Sequence, residues 1–136
     1  MITYKETKKI PLDQLRDLYN DVEWTAYTED ENILQAILPN ALHVISAWDG
    51  EELVGLCRSI GDQVYITYIQ DLLVKKAYQH QGIGSALLQK MLDKNTHIKQ
   101  IVLLTSYEEK TMAFYMKNGL HKADNEKYGV GFVRYQ

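Results

Sequence analysis

"YIQDLLVKKAYQHQGIGSALLQKML", residues 68–92, runs from an apolar strand through a polar loop with two glycines into an amphipathic helix. Glycine is a poor helix former, so Gly82 and Gly84 at the point where the helix must begin need a reason. A strand–loop–helix unit leaves backbone N–H groups unpaired in the first helical turn, and the helix dipole adds positive potential there. Such a start is an anion site. Glycines let a phosphate approach the backbone, and Gln79, His80 and Gln81 add polarity without negative charge. The same two glycines would equally serve a tight turn, and their spacing alone does not decide. This is not a Walker loop, because no Gly-Lys-Ser/Thr follows. It is not the loop of dinucleotide folds either, because position 87 is Leu.

The elements around this unit predict a mixed α/β sheet flanked by helices. "ITYKET" reads as a strand. From Pro11, the residues Leu12, Leu15, Leu18, Tyr19 and Val22 recur at helical spacing, with Pro suited to a first turn. "TEDENILQAIL" reads as a second helix, with Thr28 and Glu31 at capping-box spacing and Ile33, Leu34, Ile37 and Leu38 as its apolar face. "LHVISAW" and "ELVGLCRSI" flank Asp49-Gly50, a hairpin signal. A further turn at Gly61-Asp62 leads into "VYITYIQDLLV", expected as a central strand buried on both faces. After the helix from about Gly82 to Asp93, "KQIVLLTS" reads as another buried strand. "EEKTMAFYMKNG" reads as a helix stopped by Asn118-Gly119, and "GLHKA" with "GVGFVRYQ" as a final hairpin. The order is β-α-α-β-β-β-α-β-α-β-β, in a single domain over residues 1–136.

Composition narrows the function. Hydrophobic residues make up 46% and charged residues 24% of the chain, an ordinary globular mixture. The net charge of −3 gives no basic field for nucleic acid. The single Cys57 rules out an internal disulfide and a cysteine-based zinc site. The four histidines are scattered without ligand spacing, so no metal is expected. No apolar run reaches the roughly 18–20 residues of a membrane span, and "MITYKETKKIPL" lacks the apolar stretch of a signal peptide. A cytoplasmic protein without a membrane partner is the expectation.

Gln79-His80-Gln81-Gly82-Ile83-Gly84, following Leu72-Leu73-Val74, resembles the acyl-CoA signature of the GNAT superfamily of N-acetyltransferases. That signature is Arg/Gln-x-x-Gly-x-Gly/Ala after a strand ending in apolar-x-Val. "AFYMKNGLHK" is similar to the later Phe-Tyr-x-Lys-x-Gly-Phe helix ending of the same family, and the element order matches from end to end. One departure is Glu108, where family members often carry Asn. The resemblance implies the acyl-CoA N-acyltransferase fold, acetyl-CoA as cosubstrate, a primary amine as acceptor and compatibility with a homodimer; the aromatic and acidic residues around Trp24 and Tyr27 favour the amine of a small molecule over a protein tail. It implies that the amides of Gln81 to Ser85 hold the pyrophosphate, and that the backbone of Leu72, Leu73 and Val74 pairs with the pantetheine arm. Lys75 and Lys76 are candidates for phosphate contacts or for a solvated strand end.

Acetyl transfer from a thioester to an amine needs a neutral amine, a donor for the developing oxyanion and a proton for the leaving thiolate. The resemblance gives the last role to Tyr115, which could also be a core aromatic beside Phe114. On the central strand, alternation predicts that Tyr68, Gln70, Leu72 and Val74 share one face. A glutamine cannot act as a base. Asp71 could do so if a bulge turned it to the cleft, and is otherwise a buried structural carboxylate. Trp24 and Tyr27, with the acidic run after them, are candidate amine contacts. A non-catalytic acyl-CoA sensor on the same fold, in which Gln70 marks a lost base, is the alternative to an enzyme.

Overall fold

The Asp49-Gly50 turn joins two strands of a sheet whose three middle strands follow one another by tight turns. In the computed structural model, which describes residues 1–136, β1 is Ile2–Lys5, β2 His43–Asp49, β3 Glu52–Gly61, β4 Ile66–Val74 and β5 Gln100–Leu103. They form one five-stranded sheet in the order β1-β2-β3-β4-β5. Every pairing is antiparallel except β4 with β5, which is parallel. The turn into β4 is held by Asp62, whose Oδ1 accepts the N–H groups of Val64, Tyr65 and Ile66 at 2.8–3.1 Å. Those bonds, led by Tyr65's, favour the charged carboxylate and hold it below its ordinary range. The helices are α1 (Leu12–Asp21), α2 (Glu31–Ile37), α3 (Ile83–Asp93) and α4 (Glu109–Lys117). A short hairpin, β6 (Asp124–Asn125) and β7 (Gly129–Val130), completes the expected order.

The chain divides into two compact units, Met1–Leu104 and Thr105–Gln136. In the first, the apolar stripe of α1 supplies Leu15, Leu18 and Tyr19, and α2 supplies Leu34, with Leu38 just beyond its end. They bury against Val44 and Trp48 of β2, Leu53 and Leu56 of β3 and Leu73 of β4. Gly55, next to Leu56 and so on the opposite face, looks at α3. A Cβ there would meet Leu87 Cδ1 at 3.0 Å and Ile83 Cγ2 at 3.4 Å. The missing side chain is what lets α3 lie close on β3.

Several local expectations are corrected. The α2 cap is Asp30, whose carboxylate accepts from the N–H of Asn32. Thr28 instead donates to Asn20, and Glu31 pairs with Arg16 at 2.8 Å, so the Thr28–Glu31 box does not form. Ile33 lies on the exposed side of that helix. As an edge strand, β5 is only half-buried. In the second unit, α4 ends as expected: Asn118 Nδ2 donates to the Phe114 carbonyl and Gly119 takes φ 92°. The final hairpin is shorter and later than expected, because the Asn125 side chain accepts from Lys127 and Tyr128 N–H and tightens the turn there. Residues 119–123 and 131–136 lie in no strand.

If Gly55 sets the distance between α3 and the sheet, Gly55→Val should destabilise the protein by about 1–3 kcal/mol through overpacking. Urea unfolding measures this, and an unchanged midpoint would show that α3 is not seated by that glycine.

Candidate active site

A bulge in β4 organises this region. Arg58 of β3 pairs with Asp71 and its neighbour Ser59 with Ile69, so Gln70 is an extra residue with no opposite number. The extra residue resets the alternation of side chains. Before the bulge, Thr67 donates to Asn95 just after α3, which puts Thr67 and Ile69 on the α3 face and Tyr68 on the other. After it, Leu73 joins the α1–α2 core, while Leu72 and Val74 pair with Cys57 and Gly55 on the α3 face. The expected single face of Tyr68, Gln70, Leu72 and Val74 is therefore divided. Tyr68 and Gln70 go with Asp71 toward α1 and α2, whereas Leu72 and Val74 go with α3. Both faces of the strand are covered, but Gln70 and Ile66 are exposed and Tyr68, Leu72 and Val74 only half-buried.

The bulge brings Asp71 to the face of Tyr68 and Gln70, the condition for its acting as a base, but there Gln70 is exposed and Asp71 is buried, 3% exposed. Asp71 Oδ2 accepts from Arg58 Nε at 2.5 Å and from Tyr19 OH at 2.7 Å, and Oδ1 accepts from Tyr27 OH at 3.0 Å. Tyr27 O in turn accepts from Arg58 Nη2 and from Gln70 Nε2, each at 3.1 Å. The Arg58 guanidinium carbon lies 5.3 Å from the Tyr27 ring centre. A carboxylate with this many donors is a structural anchor, not a base open to substrate.

The titration of its partners fits that reading. Burial, then the charge of Asp71, pushes the Tyr19 hydroxyl far above its ordinary range. Burial raises Tyr27 too, against the pull of Gln70's donation. Burial works to lower Arg58, and the charge of Asp71 overrides it, so the guanidinium is held more firmly charged. Burial, then Asp71, pushes the Cys57 thiol up to about 12, which makes it a poor nucleophile.

Neither Tyr19 nor Arg58 was expected in this network, though Arg58 left a trace in the sequence. Arg58 sits amid the apolar strand "ELVGLCRSI", where a charge needs a buried partner, and Asp71 stands in the next strand. Trp24, an expected substrate contact, is 40% exposed, with its ring centre 6.3 Å from that of Tyr19.

On the side of β4 away from β3 the backbone is open beyond Ile69. Pairing with β5 ends at Ile69 with Leu103, whereas β4 continues to Val74. Lys75 N–H bonds the Val54 carbonyl of β3, so, by antiparallel alternation, residues 71 and 73 also face β3 while Leu72 and Val74 face the open side. Leu73 is thus withdrawn from the expected arm contacts twice over, by its backbone direction and by its buried side chain. After a single 3-10 turn at Lys76–Tyr78, the loop is stabilised by Gln79 Nε2 donating to the Val74 carbonyl at 2.9 Å. His80 and Gly82 take φ 65° and 83°. Gly82 is the residue before α3, and its left-handed backbone explains the glycine: a side chain there is strained whatever the space.

The first turn of α3 has no capping side chain and no acidic residue, so the amides of Ile83, Gly84 and Ser85 are not covered from within the helix. That vacancy suits an anion. Lys75 pairs with Glu52 at 3.0 Å, and the exposed Lys76 with Glu23 at 3.1 Å.

The acetyltransferase (GNAT) family pattern matches residues 9–120. The chain belongs to the GNAT acetyltransferase family. A solved GNAT-family acetyltransferase from Streptococcus pneumoniae TIGR4 is 34% identical, with a TM-score of 0.85 over 100% of this chain and 98% of its own. Aminoglycoside N-acetyltransferase AAC(6')-Iy, solved with CoA, shares the fold at 14% identity, with a TM-score of 0.75 over 100% of this chain and 95% of that one. Histone acetyltransferase TAP1 of Glycine max is 29% identical over 92 residues, 63% of this chain, and the match spans 39% of that longer protein. No helix of this GNAT chain is long and apolar enough to cross a membrane.

Removing the cation from the buried pair should be severe. Arg58→Met would leave Asp71 buried without its charge partner, and should destabilise the protein by about 3–5 kcal/mol. Denaturant unfolding of the two proteins gives the value. A loss under about 1 kcal/mol would mean that the pair is not the anchor its geometry suggests.

Proposed function

We propose that the chain is an acetyl-CoA-dependent N-acetyltransferase whose acceptor is a primary amine of a small molecule. One observation carries the reading. The edge of Leu72 and Val74, which β5 does not pair and where Gln79 Nε2 holds the Val74 carbonyl, leads within one strand–loop–helix unit to the uncapped start of α3. An extended amide-bearing arm can add to the first, and a pyrophosphate can sit on the second. The fold likeness to an aminoglycoside acetyltransferase motivates a small acceptor, and the plant relative named for histones makes a protein lysine the competing one.

Acetyl-CoA would supply the activated acyl group. The amides of Gln81 to Ser85 would hold its pyrophosphate, and Leu72 and Val74 would hold the arm. A strand amide aimed at the thioester oxygen would stabilise the charge developing there. The lone pair of the neutral amine attacks the carbonyl carbon, the carbon–sulfur bond breaks, and the thiolate takes a proton. Tyr115, matched to the family's helix motif, is the proposed donor. The proton lost by the amine leaves through water, since Gln70 has no basic group and Asp71 is buried under three donors.

Acetyl-CoA turnover with a panel of amines, read as thiol release beside a thermal melt, tests this. CoA should raise the melting temperature by mass action, and Gly84→Glu should abolish the shift in a folded protein. No shift at millimolar CoA would end the acyl-CoA reading. A shift with no turnover on any small amine or lysine peptide would leave the sensor reading in its place.

Tyr115→Phe should lower turnover by about 10²–10⁴-fold, the usual range for a lost general acid, with CoA affinity little changed. Unchanged turnover would reduce Tyr115 to packing.

A further inference from the structure

The hydrogen-bond polarity around Tyr27 determines which way Gln70 points. As the partner of a guanidinium, Asp71 is a carboxylate and can only accept. The Tyr27 hydroxyl has one hydrogen, and it goes to Asp71 Oδ1 at 3.0 Å. What remains on the Tyr27 oxygen is acceptor capacity, part of it taken by Arg58 Nη2. A neighbour of Tyr27 must then be a donor, and Gln70 meets this with its Nε2 at 3.1 Å. The reversed amide would set its oxygen against an oxygen with no hydrogen to give. Otherwise it would draw the Tyr27 hydrogen away from a charged acceptor, whose bonds are the stronger ones. With Nε2 committed to Tyr27, the other arm of the amide, Oε1, lies on the far side of an exposed residue at the crest of the bulge.

We infer that Tyr27 is a positioning residue that turns the Gln70 side-chain carbonyl outward to accept an N–H of the acceptor amine. Tyr27 had been expected to touch the substrate itself. Its hydroxyl is instead used up by Asp71, Arg58 and Gln70, and it acts through Gln70. The acceptor offered to the substrate is uncharged. It recognises an N–H, which both amine and ammonium possess, and it leaves the nitrogen lone pair of the neutral amine free for attack. This inference rests on the amine-acetyltransferase reading above.

The test uses the full chain and an amine that it acetylates, with Gln70→Met, Tyr27→Phe and the double variant. Gln70→Met keeps the length of the side chain and removes the acceptor. It should raise KM for the amine by about three- to ten-fold, the range for one lost neutral hydrogen bond, with KM for acetyl-CoA unmoved. Tyr27→Phe frees the amide to rotate and should also raise the amine KM. The double variant should be no worse than Gln70→Met alone, because Tyr27 acts only through Gln70. A purely structural Tyr27 would instead give effects that multiply.

Unmoved amine KM in Gln70→Met, or a double variant equal to the product of the singles, overturns the inference. Should Tyr27→Phe fail to fold, Gln70→Met still decides, since its side chain is exposed. A protein that binds CoA and acetylates no amine overturns the functional reading along with the inference. Normal amine turnover with unmoved KM overturns the inference alone.

Discussion

The contact on which this architecture depends is the buried pair of Arg58 and Asp71 across β3 and β4, closed over by Tyr19 and Tyr27. Two charges out of water are unfavourable unless their remaining lone pairs and protons are satisfied. Here one carboxylate takes three donors, and the guanidinium reaches both Asp71 and Tyr27. The pair joins the two strands where their register shifts, and the two tyrosines tie that point to α1 and to the segment before α2. A bulge lacking such a clamp could slide by a residue and exchange the faces of every side chain beyond it. Clamped, it fixes Tyr68 and Gln70 on one side and Leu72 and Val74 on the other.

Much of this was legible in the sequence, because its main elements depend on local signals. The apolar spacing of α1, the Asp49-Gly50 turn, the glycine loop before α3 and the Asn118-Gly119 stop each announce themselves within a few residues. The family motif then joined them into one fold. The bulge was not legible. A period-two reading of "TYIQDLLV" is perfect, and burial of residues 67, 69, 71 and 73 follows that period as well. The alternation hides the reset because helices cover both faces: two of these four residues bury under α3 and two under α1 and α2. Only the partner strand reveals the shift. The capping box failed for a related reason. Glu31 had an arginine in α1 available, and Asp30 stands two residues nearer to the helix start than Thr28.

The pair also explains why the polar residues of this region divide their labour. Asp71, Tyr19 and Arg58 are buried and bonded to one another, which keeps them from a substrate. Gln70 is exposed and uses only one end of its amide. Replacing the buried set by apolar residues of matched volume need not destabilise the fold, since buried ion pairs often contribute little net stability. What such a replacement would remove is direction. The Tyr27 hydrogen would have no charged acceptor to claim it, and Gln70 would be free to present either a donor or an acceptor. The network is thus better understood as specifying an orientation than as supplying stability.

Segment 70–74 joins the two irregular features of the chain. At one end the bulge sets Gln70 on the α1–α2 face. At the other the chain leaves β4 for a loop that places His80 and Gly82 at positive φ before α3 begins. Between them, Leu72 and Val74 direct their backbone groups toward the side that β5 does not reach. A regular strand would have kept one face and one phase throughout and could not have placed an amide end of Gln70 and the α3 start to opposite purposes. A regular helix entry, with a side-chain cap, would have covered the amides that an anion needs. The two departures from regularity therefore meet on a single strand: one sets Gln70 on the exposed crest of the bulge, the other leaves the first amides of α3 without a side-chain cap, and the backbone between them is an edge that β5 does not pair.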